Sequence, residues 1–148
     1  MGIFSRDLIV NNYYALDKKR CLEEMVEFLF KRDIIVSVEK FFKAIMEREN
    51  LMSTGIGQKV AIPHARTQFA KEMKIAVYKL DNEIDFNSID SVAVKLIFMI
   101  AVPDQKKDEY MKVLSGISNF LRIEENRNKL FNSNDAEELY NTLKEVKV

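Results

Sequence analysis

His64 is the only histidine in the chain, and it follows directly on the short apolar run Val60-Ala61-Ile62-Pro63. Imidazole is the side chain whose ordinary pKa, ~6.5, lets it act as a neutral nucleophile near pH 7. One ring nitrogen can attack phosphorus while the other donates to a backbone carbonyl. That hydrogen bond fixes the tautomer and makes the attacking nitrogen more basic. A serine or threonine in its place would need an added general base. A phosphoryl carrier therefore needs little beyond one exposed histidine and some donors for phosphate oxygens. Arg48, Ser53, Thr54 and Arg66 stand close to it in sequence. A guanidinium fork matches phosphate oxygens, and Gly55 and Gly57 let backbone approach closely. The residue types alone leave a blander reading open: His64 as a satisfied core or surface residue, and Arg48 as a solvated charge in Glu47-Arg48-Glu49.

Other chemistries find less support. No Gly-x-x-x-x-Gly-Lys-Ser/Thr loop is present, and Gly55-Ile56-Gly57 lacks the third glycine of a dinucleotide fingerprint and leads into a strand. No Gly-x-Ser-x-Gly elbow supports a serine hydrolase. The carboxylate pairs Glu23/Glu24, Glu124/Glu125 and Glu137/Glu138 lie on polar helix faces, where solvation explains them. One cysteine, Cys21, and one histidine cannot by themselves build a zinc site, so neither a metal nor a cofactor is expected. Cys21 opens an apolar helical stripe and reads as structural. Lys18, Lys19 and Arg20 before it would favour a thiolate, which leaves a minor redox role open.

Composition bounds the class of protein. The 148 residues, 47% hydrophobic and 31% charged, suit one globular domain with a sizeable core. Lys+Arg and Asp+Glu both number 23, so no global basic field points to nucleic acid. The longest apolar run, Leu96 to Val102, is far short of the ~20 residues of a membrane span. The N-terminus has no apolar stretch of signal-peptide length, and Arg6 stands where a myristoylation signal needs Ser or Thr. A cytoplasmic protein without direct membrane insertion is expected.

The elements that must position His64 follow from periodicity. Leu8-Ile9-Val10 and Tyr13 to Leu16 suggest an opening strand. Leu22, Met25, Val26 and Leu29 predict a helix near 18–32. Ser37 is a plausible cap for a second helix carrying Phe41, Phe42, Ile45 and Met46 on one face. Lys59 to Ile62 predicts a strand, and Pro63 keeps Ile62 extended. That arrangement places His64 at the mouth of a loop, where scaffolds commonly hold catalytic groups. Residues 74–80 and 92–102 read as strands, with Asp81-Asn82 and Asn87-Ser88 as turn chemistry between them. The second run is almost continuously apolar, as for a strand covered on both faces. A long helix over 106–122, a short one from Glu124 and a last one capped by Ser133 or Asn134 complete the chain. Met25, Met46, Met99 and Met111 fall on apolar stripes and are expected in the core. The pattern predicts an α/β single domain, a three-layer α/β/α sandwich with a mixed central sheet.

The region of His64 resembles the signature of the enzyme IIA domain of the fructose/mannitol class, related to the nitrogen type, in the bacterial phosphoenolpyruvate-dependent sugar phosphotransferase system. In that signature an acidic or amide residue is followed after six residues by an apolar residue and Gly. Two variable positions and then apolar-Ala-apolar-Pro-His-small complete it. Glu49, Ile56-Gly57, Gln58-Lys59 and Val60-Ala61-Ile62-Pro63-His64-Ala65 match it without a mismatch. Arg48 to Gly55 and Ala101-Val102-Pro103 are also similar, and the likeness spans residues 1–148. The resemblance implies a phosphohistidine relay that needs no cofactor. His64 would take a phosphoryl group from phospho-HPr on Nε2, leave Nδ1 to a backbone partner, and pass the group to a cysteine of a sugar-specific enzyme IIB. Arg48 stands where mannitol-type relatives carry an arginine near the histidine. Nitrogen-type relatives imply a regulatory alternative acting by phosphorylation-dependent binding, and a non-catalytic module of the same fold is the third. Relatives often carry a second histidine at the start of the third helix, where this chain has Tyr110. Tyrosine brings no positive charge there, or it simply begins the apolar stripe of that helix.

Overall fold

The computed structural model of the protein describes residues 3–148. After a short 3-10 turn, β1 runs over Ile9–Tyr13, followed by α1 (Lys18–Lys31) and α2 (Val38–Leu51). Both helices start where a side-chain oxygen accepts an otherwise unpaired N–H of the first turn. The Asp17 carboxylate accepts from Arg20 N at 2.8 Å, and Ser37 Oγ from Lys40 N at 3.1 Å. Three short strands then follow: β2 (Gly55–Gly57), β3 (Val60–Ala61) and β4 (His64–Arg66). Two long strands, β5 (Lys74–Ile84) and β6 (Val94–Val102), lead to α3 (Lys107–Leu121), α4 (Glu124–Phe131) and α5 (Ala136–Leu143).

The strands form one six-stranded mixed sheet. The order is β1-β5-β6-β3-β2, with β4 also paired to β6. β5 and β6 are antiparallel, while β1 joins β5, and β3 and β4 join β6, in parallel. Strand alternation then divides the sheet between two cores. Ile97, Met99 and Ala101 face α1 and α2, where Leu22, Met25, Leu29, Phe41 and Ile45 are buried. Leu96, Phe98, Ile100 and Val102 face α3, α4 and α5 across Val113, Ile117, Leu130 and Leu139. The continuous apolar character of residues 96–102 has this cause, and the fold is the three-layer α/β/α sandwich.

Several boundaries differ from expectation. β1 ends at Tyr13, and the Asn82 amide bonds both Ala15 N and Ala15 O, at 2.9 and 2.7 Å. Asp81-Asn82 is therefore not a turn; β5 continues through it to Ile84, with an irregular register against β6 after Lys79. The cap of α5 is Asp135, whose carboxylate accepts from Glu138 N, rather than Ser133 or Asn134. Ser133 instead donates to Lys129 O at 2.9 Å. Met25 and Met99 are in the core and Met46 packs at its margin, but Met111 is 49% exposed. Among the described residues no helix is long and apolar enough to cross a membrane.

Candidate functional site

The site is built where the sheet is interrupted. β3 and β4 lie along the same strand, β6, at Val60↔Leu96 and His64↔Ile100. Pro63, with no N–H to donate, separates them. Its carbonyl still accepts from Ile100 N at 2.9 Å, so the break stays pinned to the sheet. His64 is thus not on a free loop, as the proline suggests. It opens β4, and only the tertiary pairing with β6 makes so short a segment a strand.

Alternation puts Ala65 toward α1 and α2 and turns His64 to the other side of the sheet. The imidazole is half-buried there, with its ring centroid 5.2 Å from that of Tyr110 at a tilt of 36°. His64 Nδ1 lies 2.9 Å from Ile62 O. A carbonyl only accepts, so Nδ1 carries the proton and Nε2 of the neutral ring keeps its lone pair. The His64 pKa is lowered from 6.5, chiefly by burial and further by the Arg48 charge. The bond to Ile62 O and the Glu49 charge act the other way. The result is a neutral imidazole near pH 7 with a defined nucleophilic nitrogen.

Arg48 sits in the last turn of α2, where a cation also suits the helix dipole. Its Nη1 donates to Met52 O at 2.7 Å, a neutral partner that leaves the charge uncompensated by that bond. That charge reaches both His64 and Tyr110. Arg48 is thus near enough to His64 for its charge to act on the imidazole. Tyr110, in the first turn of α3, is buried and does two things at once: it joins the apolar core and packs against the imidazole. Burial raises its phenol pKa, so it stays neutral beside His64.

The hydroxyls do not serve as expected. Thr54 is buried, and its Oγ1 donates to Glu49 Oε2 at 2.7 Å. Ser53 Oγ donates to Phe86 O at 2.6 Å and accepts from Gly55 N. Both are committed to holding the chain rather than facing an incoming phosphate. Arg66 likewise donates to Asp104 O at 2.8 Å. The Gly55 requirement is for packing, because a Cβ there would lie 2.3 Å from Ser88 Oγ.

Sequence reasoning gave Glu49 no task beyond its place in the signature. The carboxylate is buried, with only 1% of its side chain exposed, and it pairs with Lys18 Nζ at 3.0 Å. One signal was present: Phe41, Ile45 and Glu49 follow one another at four-residue spacing on the buried face of α2. The partnership with Lys18, on another helix, had none.

Comparison with known proteins identifies the family. The family model for "Phosphoenolpyruvate-dependent sugar phosphotransferase system, EIIA 2" matches residues 2–146. A nitrogen regulatory protein of Pseudomonas aeruginosa is 32% identical over 129 residues, 87% of this chain and 84% of that protein. A PTS system fructose-specific EIIA component of Haloferax volcanii is 34% identical over 103 residues, 70% of this chain and 67% of that one. The crystal structure of nitrogen regulatory protein IIA-Ntr from Neisseria meningitidis superposes with a TM-score of 0.89 at 33% identity, covering 95% of this chain and 96% of that one. With the matching model spanning nearly the whole chain, the protein belongs to the EIIA type 2 family of the phosphoenolpyruvate-dependent sugar phosphotransferase system.

Proposed function

We propose that this protein is a cytoplasmic phosphoryl carrier in which His64 accepts a phosphoryl group from phospho-HPr and hands it to a cysteine of a sugar-specific enzyme IIB. The observation that carries this reading is the 2.9 Å contact between His64 Nδ1 and Ile62 O, which leaves the Nε2 lone pair as the nucleophile. In the acceptor step Nε2 attacks phosphorus and an Nε2–P bond forms. The P–N bond of the donor phosphohistidine breaks, and its electron pair returns to the donor ring. His64 keeps its Nδ1 proton, so the phosphorylated ring carries positive charge, which the Ile62 carbonyl stabilises. The onward step repeats this with a cysteine thiolate as nucleophile. Arg48 supplies charge for the phosphate oxygens in both directions; phosphoryl transfer depends mostly on such positioning and charge stabilisation.

The surroundings suit a protein partner. Leu51 and Met52, directly after Arg48, are 83% and 65% exposed. Exposed apolar side chains beside a polar centre are a common feature of interaction sites. The nitrogen regulatory relatives favour a second reading, in which the same phosphohistidine is a signal read by a binding partner.

The test is radiolabelled phospho-HPr. One acid-labile phosphate per chain is expected on His64, and a His64→Gln variant that still took up label would overturn the assignment. Arg48→Ala should slow uptake by about ten- to hundredfold, the scale of losing a charge-assisted donor. Discharge of the label onto a purified IIB supports the relay. Label retained against every IIB but altering capture of another protein supports the regulatory reading. No uptake at all would leave an interaction module.

A further inference from the structure

Four hydrogen bonds connect the interior of the α1–α2 layer to the imidazole. Both carboxylate oxygens of Glu49 are occupied by one residue: Oε1 accepts from Thr54 N at 2.8 Å and Oε2 from Thr54 Oγ1 at 2.7 Å. The Thr54 carbonyl then accepts from Ile62 N at 3.0 Å, across the open end of the β2–β3 hairpin. The Ile62 carbonyl accepts from His64 Nδ1 at 2.9 Å. Behind Glu49, Lys18 Nζ supplies the compensating charge at 3.0 Å. Lys18 also donates to Phe86 O at 3.1 Å, the acceptor that Ser53 Oγ shares, and lies 4.6 Å over the Phe86 ring. Residues 53 and 54 are therefore clamped from two sides.

A buried ion pair is a weak source of net stability, because desolvation offsets most of the attraction; its better-attested use is to specify one geometry. Here the geometry specified is that of the peptide that holds His64. We infer that Glu49 is a positioning residue: through Thr54 and Ile62 it keeps the carbonyl that locks His64 in the Nδ1–H tautomer, with Lys18 as its counter-ion. Leucine at this position would remove both acceptors that hold Thr54 and the counter-ion of Lys18, whereas glutamine loses only the charge, because the Thr54 hydroxyl can accept from its NH2. Loss of the clamp frees residues 53–54 to shift, lets the Ile62 carbonyl turn, and leaves Nε2 protonated in part of the population.

The role of this tautomer in phosphoryl uptake rests on the carrier reading above, but the tautomer itself does not. Long-range 1H–15N correlation of the 15N-labelled full chain reads the two ring tautomers of His64 directly, without phosphate. Wild-type protein is expected to hold the Nδ1–H form. Glu49→Leu and the isosteric Thr54→Val should both raise the Nε2–H form and slow uptake from phospho-HPr by roughly 10- to 100-fold, as displacement of a reacting group does. Leu139→Ala, in the opposite core, is the control for stability alone. It should lower Tm yet keep the wild-type tautomer and rate. Wild-type tautomer populations in both site variants, or an equal change in Leu139→Ala, would overturn the inference. If Glu49→Leu fails to fold, Thr54→Val decides. A tautomer that responds in a protein that takes no phosphate would sink the carrier reading and keep Glu49 as the positioning residue. Normal uptake with an unresponsive tautomer would do the reverse.

Discussion

At the scale of single residues, His64 depends on two opposed influences. Burial and the Arg48 charge hold its pKa below 6.5, and the Ile62 carbonyl and Glu49 pull it back up. Its neutral, nucleophilic form thus predominates at neutral pH and falls to half only at the lowered value. The stability consequence has the same sign. As pH falls through 6.5 the unfolded chain takes up the proton first, so stability is lost progressively between 6.5 and the lower folded-state value. An NMR titration of the His64 ring protons should give a midpoint below 6.5, moved upward by Arg48→Ala; a midpoint at or above 6.5 in wild-type protein contradicts this. Cys21 shows how sequence neighbours mislead at this scale. Lys18, Lys19 and Arg20 precede it, but Lys18 turns to Glu49 and Arg20 to Glu23 and Glu24. Burial, with the charges of Glu24 and Asp17, pushes the thiol up to about 12. That leaves a buried thiol, not a thiolate, and Cys21 is structural.

At the scale of elements, the helices and the short strands were not equally legible. A helix of fourteen or fifteen residues, such as α1 or α3, repeats its apolar stripe often enough to be recognised locally. β2, β3 and β4 have two or three residues each and no period of their own. Their hairpin turns at Gln58 and Lys59, both with positive φ, without the Asn or Gly such turns usually use. The support comes from far away: Asp90 Oδ2 accepts from Gln58 N at 3.0 Å. The same packing makes Gly55 indispensable. A Cβ there would lie 2.9 Å from the Ser88 Cα as well as against its hydroxyl, so a side-chain rotation alone cannot relieve it. Gly55→Ala should destabilise the protein by about 1–3 kcal/mol, the range for overpacking, in urea unfolding. Because β2 holds the hairpin that carries Ile62, uptake on His64 should fall with it. An unchanged unfolding midpoint would show that the 88–91 segment yields freely.

At the scale of the whole molecule, the central sheet belongs to two cores at once. Phe98 is fully buried among the α3–α5 side chains, while its neighbours Ile97 and Met99 belong to the other face. Phe98→Ala should cost about 3–5 kcal/mol, and both layers should melt in one transition, whether followed by far-UV circular dichroism or by the His64 resonance. Two separated transitions would mean that the layers unfold independently. Sequence by itself determined the family, the α/β/α class, the single histidine and the Arg48 candidate. These depend on residue type, on helical period and on a contiguous signature, all of which are local. The tertiary structure alone decided that His64 opens a strand against β6, that Tyr110 packs against its ring, and that Ser53 and Thr54 hold the chain instead of facing phosphate. It also decided that Glu49 meets Lys18. The physical reason is common to all four. A hydrogen bond or ring contact joins residues that are adjacent only after the sheet has formed, and no period along the chain records which donor will meet which acceptor.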